Sequence, residues 1–491
     1  MEYTLENARR YEREAVKDIA KDARPKYHLT PGVGWMNDPN GLSYYKGEYH
    51  LFYQYYPYDT NWGKMHWGHA VSKDLITWKH LPVALAPDET YDSEGCFSGG
   101  ALALPDGRHM LMYTGVSPAK DENGNDITVQ QQCLAFGDGT DYKKYEKNPV
   151  ISSEDLPEGL SKVDFRDPCL FRKEDGSFGC VTGCCNSEKD GRIVEFESPD
   201  GLNWRFSRVL IECNKKLGRM WECPNIFNIQ GKNALIFSPQ EIKGMQPEFA
   251  DGNQTVIITD RDGNGNFDLH TAQCLDYGTD FYAPQVLKMP DGRFVIIGWL
   301  QNWDTLRHNE KSRVFFGTMS IPRVISFDGE RLIQKPLESI DNYRKVEKKF
   351  DFVVKNGSYS DHSLKGRRFD MMLDIAPDGE ECYKEFSVKL AVCGSCATVL
   401  TYRPEEGLFK IDKSSDGTEK EKQRERSCLL YKAPSDGRLS LRILMDKNTM
   451  EVFINGGTNV VSAIVETDEA SEGISFEADG EVKVKAEFYE M

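Results

Sequence analysis

Three carboxylates stand in stretches of unusually constrained sequence. Asp38 lies in Asn37-Asp38-Pro39-Asn40-Gly41, Asp167 in Arg166-Asp167-Pro168, and Glu222 in Glu222-Cys223-Pro224. Proline fixes its own φ and pushes the preceding residue away from the helical region. An acid held in such a setting is positioned rather than freely solvated. A carboxyl that protonates a leaving oxygen, together with a carboxylate that attacks or activates water, is what glycoside hydrolysis needs. Glu222 is the better acid, because Trp221 and Cys223 give it a less polar setting that should raise its pKa. Asp38 is the better nucleophile, and Asp167 would stabilise the sugar in the transition state. Arg166 beside it could bind sugar hydroxyls and keep Asp167 ionised. The competing reading is a set of turn-capping acids, since Asn, Asp, Pro and Gly dominate turns.

What must position these acids is a repeat. An apolar run, a glycine turn and a second apolar run recur around Gly47, Gly107, Gly176, Gly231 and Gly292, spaced by 60, 69, 55 and 61 positions. Each is a β-hairpin by composition and turn chemistry. A strand repeat of ~40–60 residues indicates propeller blades, here five of them. Nine positions before each turn glycine stand Asp38, Ser98, Asp167, Glu222 and Ala283. Equivalent positions on inner strands point at one central axis, so three carboxylates should converge at one end of the channel. The expected fold is all-β: a five-bladed β-propeller at 27–344, a C-terminal β-sandwich at 345–491, and a helical extension at 1–26 with a helix over 4–22.

Around the acids the sequence is rich in rings and amides, notably Phe52 to Pro57 and Asn61 to His69. Aromatic faces stack on sugar C–H surfaces and amides bind hydroxyls. We expect Gln54 and Trp62 to face the pocket and Tyr53 and Trp67 to pack. Ser98 is a candidate hydroxyl contact, and Tyr282 and Trp299 are candidates to close the wall. Trp35, Met36 and Phe97 complete the candidate substrate contacts. Trp78 and Trp204 follow similar Ser-x-Asp turns, at Ser72 and Ser198, and read as seam residues.

The formal charge of −17 argues against a nucleic-acid surface. No apolar run is long enough to span a membrane, and the polar N-terminal stretch, with no basic region and no apolar core, leads us to expect no signal peptide. Thirteen scattered cysteines then read as reduced thiols in a cytoplasm. Cys393-Gly-Ser-Cys396 and His66-x-x-His69 are isolated pairs without further ligands, so no metal and no cofactor are expected.

The ordered motifs Trp35-Met-Asn-Asp-Pro-Asn-Gly41, Trp67-Gly-His69, Phe97-Ser-Gly99, Arg166-Asp-Pro168, Trp221-Glu-Cys-Pro224 and Asp280-Phe-Tyr-Ala-Pro-Gln285 resemble glycoside hydrolase family 32. That family comprises invertases, sucrose-6-phosphate hydrolases, inulinases and levanases. The likeness runs from about Tyr27 to Arg344, and continues in Asp446-Lys-Asn-Thr-Met-Glu451-Val-Phe-Ile-Asn-Gly456, similar to the family's sandwich signature. The resemblance implies retaining hydrolysis of β-fructofuranosides in sucrose, sucrose-6-phosphate or short fructooligosaccharides. Asp38 would be nucleophile, Glu222 acid/base and Asp167 transition-state stabiliser. Asn37, Gln54, Trp62, Ser98, Arg166 and Trp299 would contact sugar. Gly100 and Cys169 depart from the usual pattern beside the pocket and bear on fine specificity. The intracellular bacterial branch looks most similar, and Lys64 and Arg219 are candidates for a phosphate site.

Two other readings remain: an inverting propeller glycosidase acting on another furanoside such as arabinan, and a sugar-binding module without catalysis. The C-terminal part alternates with period two, as in Phe386–Val392 and Val482–Phe488. The charged run 413–426 reads as a solvated loop. The sandwich is expected to buttress the propeller; its sheets also leave room for carbohydrate or a second copy in a homodimer.

Overall fold

The computed structural model describes residues 2–121, 123–246, 248–260, 263–306, 314–415, 424–434 and 436–491. Five sheets follow one another, each beginning with one strand: Gly34–Tyr45, Gly95–Ala103, Leu160–Arg172, Trp221–Ile229 and Tyr282–Lys288. These five strands touch in a closed ring, first to second and onward, with the fifth against the first. They are the inner strands of a five-bladed propeller. The ring is latched by Phe315–Phe316, which leaves the fifth blade and pairs in parallel with Gly34 and Trp35 of the first. All five turn glycines have φ between +79° and +90°, a region where a side chain is strained. That requirement is why glycine marks the repeat.

Beyond the propeller, two long strands, Glu347–Lys365 and Gly473–Glu490, run side by side and bend together near Asn356 (φ +41°) and Gly480 (φ +120°). The first half of the last strand pairs with Glu385–Cys393 and the second half with Arg368–Pro377. One continuous ladder thereby folds into two layers. Phe386, Val388, Leu400 and Phe409 of one layer share a core with Phe369, Met371, Ile443 and Val452 of the other. This is the expected sandwich.

The N-terminal helix is shorter than 4–22. It spans Leu5–Ala15, capped by Thr4, and gives way to single turns at Val16–Asp18 and Lys21–Ala23. Ala8 is buried, Arg9 Nε donates to the Val83 carbonyl (2.9 Å), and the Tyr55 hydroxyl donates to Glu12 (3.0 Å). The turn Val16–Asp18 buries no side chain. A short helix without tertiary support does not persist. The charged run also differs from expectation at its ends, while 416–423 lie outside the described residues. Lys413 is buried in an ion pair with Asp280 (2.8 Å), and buried Arg426 donates to the Gly278 carbonyl (2.8 Å). Both tie the sandwich to the segment leading into blade five.

The signature around Glu451 joins the two units. Arg323 of the propeller donates to Glu451 (2.9 Å), Asp276 (2.8 Å) and Ser462 (2.7 Å), and His28 bridges Asp446 (3.0 Å) and Glu451 (3.1 Å). All these groups are buried. Burial disfavours charge on His28, but its hydrogen bonds to Asp446 and Glu451 outweigh that and raise its pKa to about 9. Removing one member of such a network strands the others. Arg323→Met is expected to cost about 3–5 kcal/mol, read as a lowered denaturation midpoint. A loss below about 1 kcal/mol, the range of surface pairs, contradicts the clamp.

Candidate active site

Every inner strand breaks register at the same level. Pairing skips Asn37 and Asp38, then Ser98, then Asp167 and Pro168, Cys223 and Pro224, and Ala283 and Pro284. A bulge turns a strand locally and re-aims a side chain, so the prolines sit where the ladder has already lost its bonds. Asp167, Cys223 and Ala283 adopt φ of +67°, +50° and +49°, strain of order 1–3 kcal/mol each. Neighbours hold them there. Asp167 N–H donates to Thr114 Oγ1 (2.9 Å), Ala283 N–H to Ser238 Oγ (3.1 Å), and Cys223 N–H to Asp167 Oδ2 (3.0 Å).

The bulges open onto a cavity of about 560 Å³ lined by Asp38, Asp167 and Glu222 together with Asn37, Gln54, Trp62, Phe97, Ser98 and Arg166. Asp38 receives three donors: Asn37 Nδ2 (2.9 Å) on one oxygen, and Ser98 Oγ (2.9 Å) and the Cys223 thiol (3.5 Å) on the other. Asn37 is itself fixed by the Trp35 indole (2.7 Å). Glu222 accepts from Arg166 Nη2 (2.9 Å) and Nε (3.1 Å) on one oxygen and from the Tyr282 hydroxyl (2.6 Å) on the other. Gln54 lines the cavity while its amide holds the Cys96 carbonyl (2.9 Å), and Trp62 is nearly half exposed, edge-on to Phe97. Tyr53 and Trp67 are buried, as expected.

Several expectations need correction. Trp35, Met36, Tyr282 and Trp299 do not line the cavity; all four are buried behind its wall. Trp35 stacks on Phe316 (4.5 Å) and orients Asn37, Met36 packs in the core of the first blade, and Tyr282 reaches Glu222 from behind. Trp299 is screened by Trp303, whose ring lies 5.1 Å away and which does line the cavity. Arg166 spends its hydrogen bonds on Glu222, Asp164 and Gln130 and lies 3.9 Å from Asp167. Burial pushes the Asp167 carboxyl up to about 7; Arg166 pulls it down, while Glu222 and Asp38 add to the rise. Burial, then the charge of Glu222, also raises Asp38. Gly100 and Cys169 are not in the cavity wall. They meet each other, since a Cβ on Gly100 would lie 3.2 Å from the Pro168 carbonyl and 3.5 Å from Cys169 Cα. Lys64 is bonded to Glu94 (3.0 Å) and Arg219 to Glu241 (3.0 Å), and neither lines the cavity.

Seven lining residues escaped the sequence reading: Gln130, Asp164, Gln240, Glu241, Asn253, Trp303 and Asp304. Asp164 lies two residues from the Arg166 motif and Trp303 four from Trp299; Gln130 comes from the strand Asp126–Gly137, and Gln240, Glu241, Asn253 and Asp304 from loops that carry no motif. Among the described residues no group of three or more His, Cys, Asp and Glu is arranged to hold a metal, and no helix is long and apolar enough to cross a membrane. None of the thirteen cysteines forms a disulfide.

Residues 28–336 match the glycosyl hydrolases family 32 N-terminal domain, and residues 337–490 match the family's C-terminal domain. The chain belongs to glycoside hydrolase family 32. Among relatives of this family 32 chain, a sucrose-6-phosphate hydrolase of Bacillus subtilis is 32% identical over 90% of this chain and 88% of its own length. A raffinose invertase of Escherichia coli is 33% identical over 89% and 88%. The structure of a sucrose-6-phosphate hydrolase from Lactobacillus gasseri superposes with a TM-score of 0.84 at 28% identity, covering all of this chain and 99% of that one. The family 32 chain is thus a glycoside hydrolase of the β-fructofuranosidase type, acting on a small sugar.

Proposed function

We propose that this enzyme is a retaining β-fructofuranosidase that hydrolyses the terminal β-D-fructofuranoside bond of sucrose, sucrose-6-phosphate or short fructooligosaccharides in the cytoplasm. The observation that carries the reading is the meeting of Asp38, Asp167 and Glu222 on one cavity, the first two at bulged positions of their inner strands and Glu222 beside the bulge of its own. In the first step an Asp38 oxygen bonds to the fructosyl anomeric carbon as the bond to the leaving oxygen breaks, and Glu222 gives that oxygen a proton. In the second, Glu222 takes a proton from water, the water oxygen bonds to the anomeric carbon, and Asp38 departs. Asp167 receives hydroxyls of the fructosyl ring as positive charge develops. Burial raises the Asp167 carboxyl to about 7 and lifts Asp38 above its ordinary value, and the charge of Glu222 adds to both rises. The names borne by the relatives support the substrate class.

Glu222→Gln checks the acid role. Sucrose turnover is expected to fall by about 10²–10⁴-fold. Loss on an activated aryl β-fructofuranoside should be far smaller in the first step, because a good leaving group needs no proton. Equal losses on both substrates contradict the assignment. Fructose release from sucrose and kestose, with no arabinose from arabinan, separates the reading from an inverting arabinan hydrolase or an inert binding module.

A further inference from the structure

The cavity extends past the three acids to a rim made by two loops. One leaves blade four through Glu241 and Asn253; the other follows Trp299 and carries Trp303 and Asp304. The rim is built rather than loose. Glu241 N–H donates to Asn253 Oδ1 (3.0 Å), Asn253 N–H to Asp304 Oδ2 (2.5 Å), and Asp304 N–H to Asn302 Oδ1 (3.0 Å). Fully buried Asn302 closes the circuit by donating to the Asn253 carbonyl (2.9 Å). Glu241 is held at φ +56° by this arrangement. The rim therefore presents two carboxylates, a buried amide and an indole at fixed positions, a combination that suits hydroxyl groups and a C–H face.

Charge decides which sugar fits. The described residues lining the cavity include six carboxylates, on Asp38, Asp164, Asp167, Glu222, Glu241 and Asp304, and one cation, Arg166. That cation is engaged by Glu222 and Asp164. Arg219 lies outside the wall with both bonds to Glu241. A phosphate group entering here would meet like charge from these described residues, and like charges placed together oppose binding.

We propose that Glu241, Asn253, Trp303 and Asp304 form the subsite for the leaving sugar, and that this subsite selects a neutral sugar over a phosphorylated one. The inference rests on the β-fructofuranosidase reading and narrows its substrate. The Glu241 and Asp304 carboxylates act here as selectivity groups; they take no part in bond breaking.

The test is kcat/KM for sucrose, kestose and sucrose-6-phosphate with the full chain, at low and high salt, beside the double variant Glu241→Gln/Asp304→Asn. Glu241 holds the rim through its main-chain N–H, and an amide at 304 can still accept the Asn253 N–H, so the rim keeps its bonds. The expected result is a preference for sucrose over its 6-phosphate of about ten-fold or more at low ionic strength, shrinking as salt screens the charges. In the double variant the ratio should move by about ten-fold toward the phosphorylated sugar. Equal or faster hydrolysis of sucrose-6-phosphate at low salt overturns the inference, and so does a ratio that the double variant leaves unmoved. Release of fructose from none of the three sugars is a different result, and brings down the fructofuranosidase reading and the selectivity with it.

Discussion

Asp38→Asn leaves a folded protein whose fructose release from sucrose falls by at least about 10⁴-fold. The size follows from what the residue does. Without an attacking oxygen, water would have to reach the anomeric carbon across a site whose other oxygens are engaged by Arg166, Tyr282 and Cys223. Folding survives because an amide oxygen can still accept from Ser98 or Asn37. Asp38 is held at elevated pKa by burial and by the charge of Glu222, so the wild type also loses activity on the acid side, as Asp38 takes up a proton. Sugar binding, measured by calorimetry with sucrose, should persist in the variant. Turnover within about ten-fold of wild type, short of the loss expected for a missing nucleophile, contradicts the assignment.

Asp167→Asn is expected to lose about 10³-fold in kcat, the scale of a lost transition-state contact, while becoming more stable at alkaline pH. The sign follows from linkage. Burial raises the folded carboxyl to about 7, whereas the unfolded chain releases its proton near 4. Between those values the folded state binds more protons, so wild-type stability falls as pH rises through that window. The neutral amide removes this term. It can still accept the Cys223 N–H that Asp167 now accepts. The variant should gain roughly 2–4 kcal/mol at pH 8 and nothing at pH 4, read as a higher Tm at pH 8 only. A lower Tm than wild type at pH 8 contradicts the view that Asp167 is kept charged at the expense of stability.

What was legible in the sequence was whatever a backbone constraint had made periodic. The five turn glycines had to be glycine because each sits near φ +85°, and counting from them found Asp38, Asp167 and Glu222. Packing direction left no such trace. Trp35, Met36 and Tyr282 stand inside the motifs and Trp299 ends the strand paired with Tyr282, yet the bulges aim the adjacent residues at the cavity and turn these four into the wall behind it. Trp303 takes the place in the cavity wall that Trp299 was expected to hold. Glu241, Asn253 and Asp304 come together only through hydrogen bonds between two loops, and nothing in their spacing announces it. Lys413 and Arg426 mislead in the opposite direction, since a charged run is usually solvated and here its ends are buried against Asp280 and Gly278.

The central claim is a double displacement in which Asp38 attacks and Glu222 serves first as acid and then as base. The anomeric configuration of the first product tests it most directly. Sucrose carrying ¹³C at the fructosyl anomeric carbon is mixed with enough enzyme to finish hydrolysis before mutarotation, and the anomeric signals are followed by NMR. The account predicts that β-fructofuranose appears first and the other tautomers grow in later. Initial release of the α-furanose would mean a single displacement by water, and would contradict the role given to Asp38.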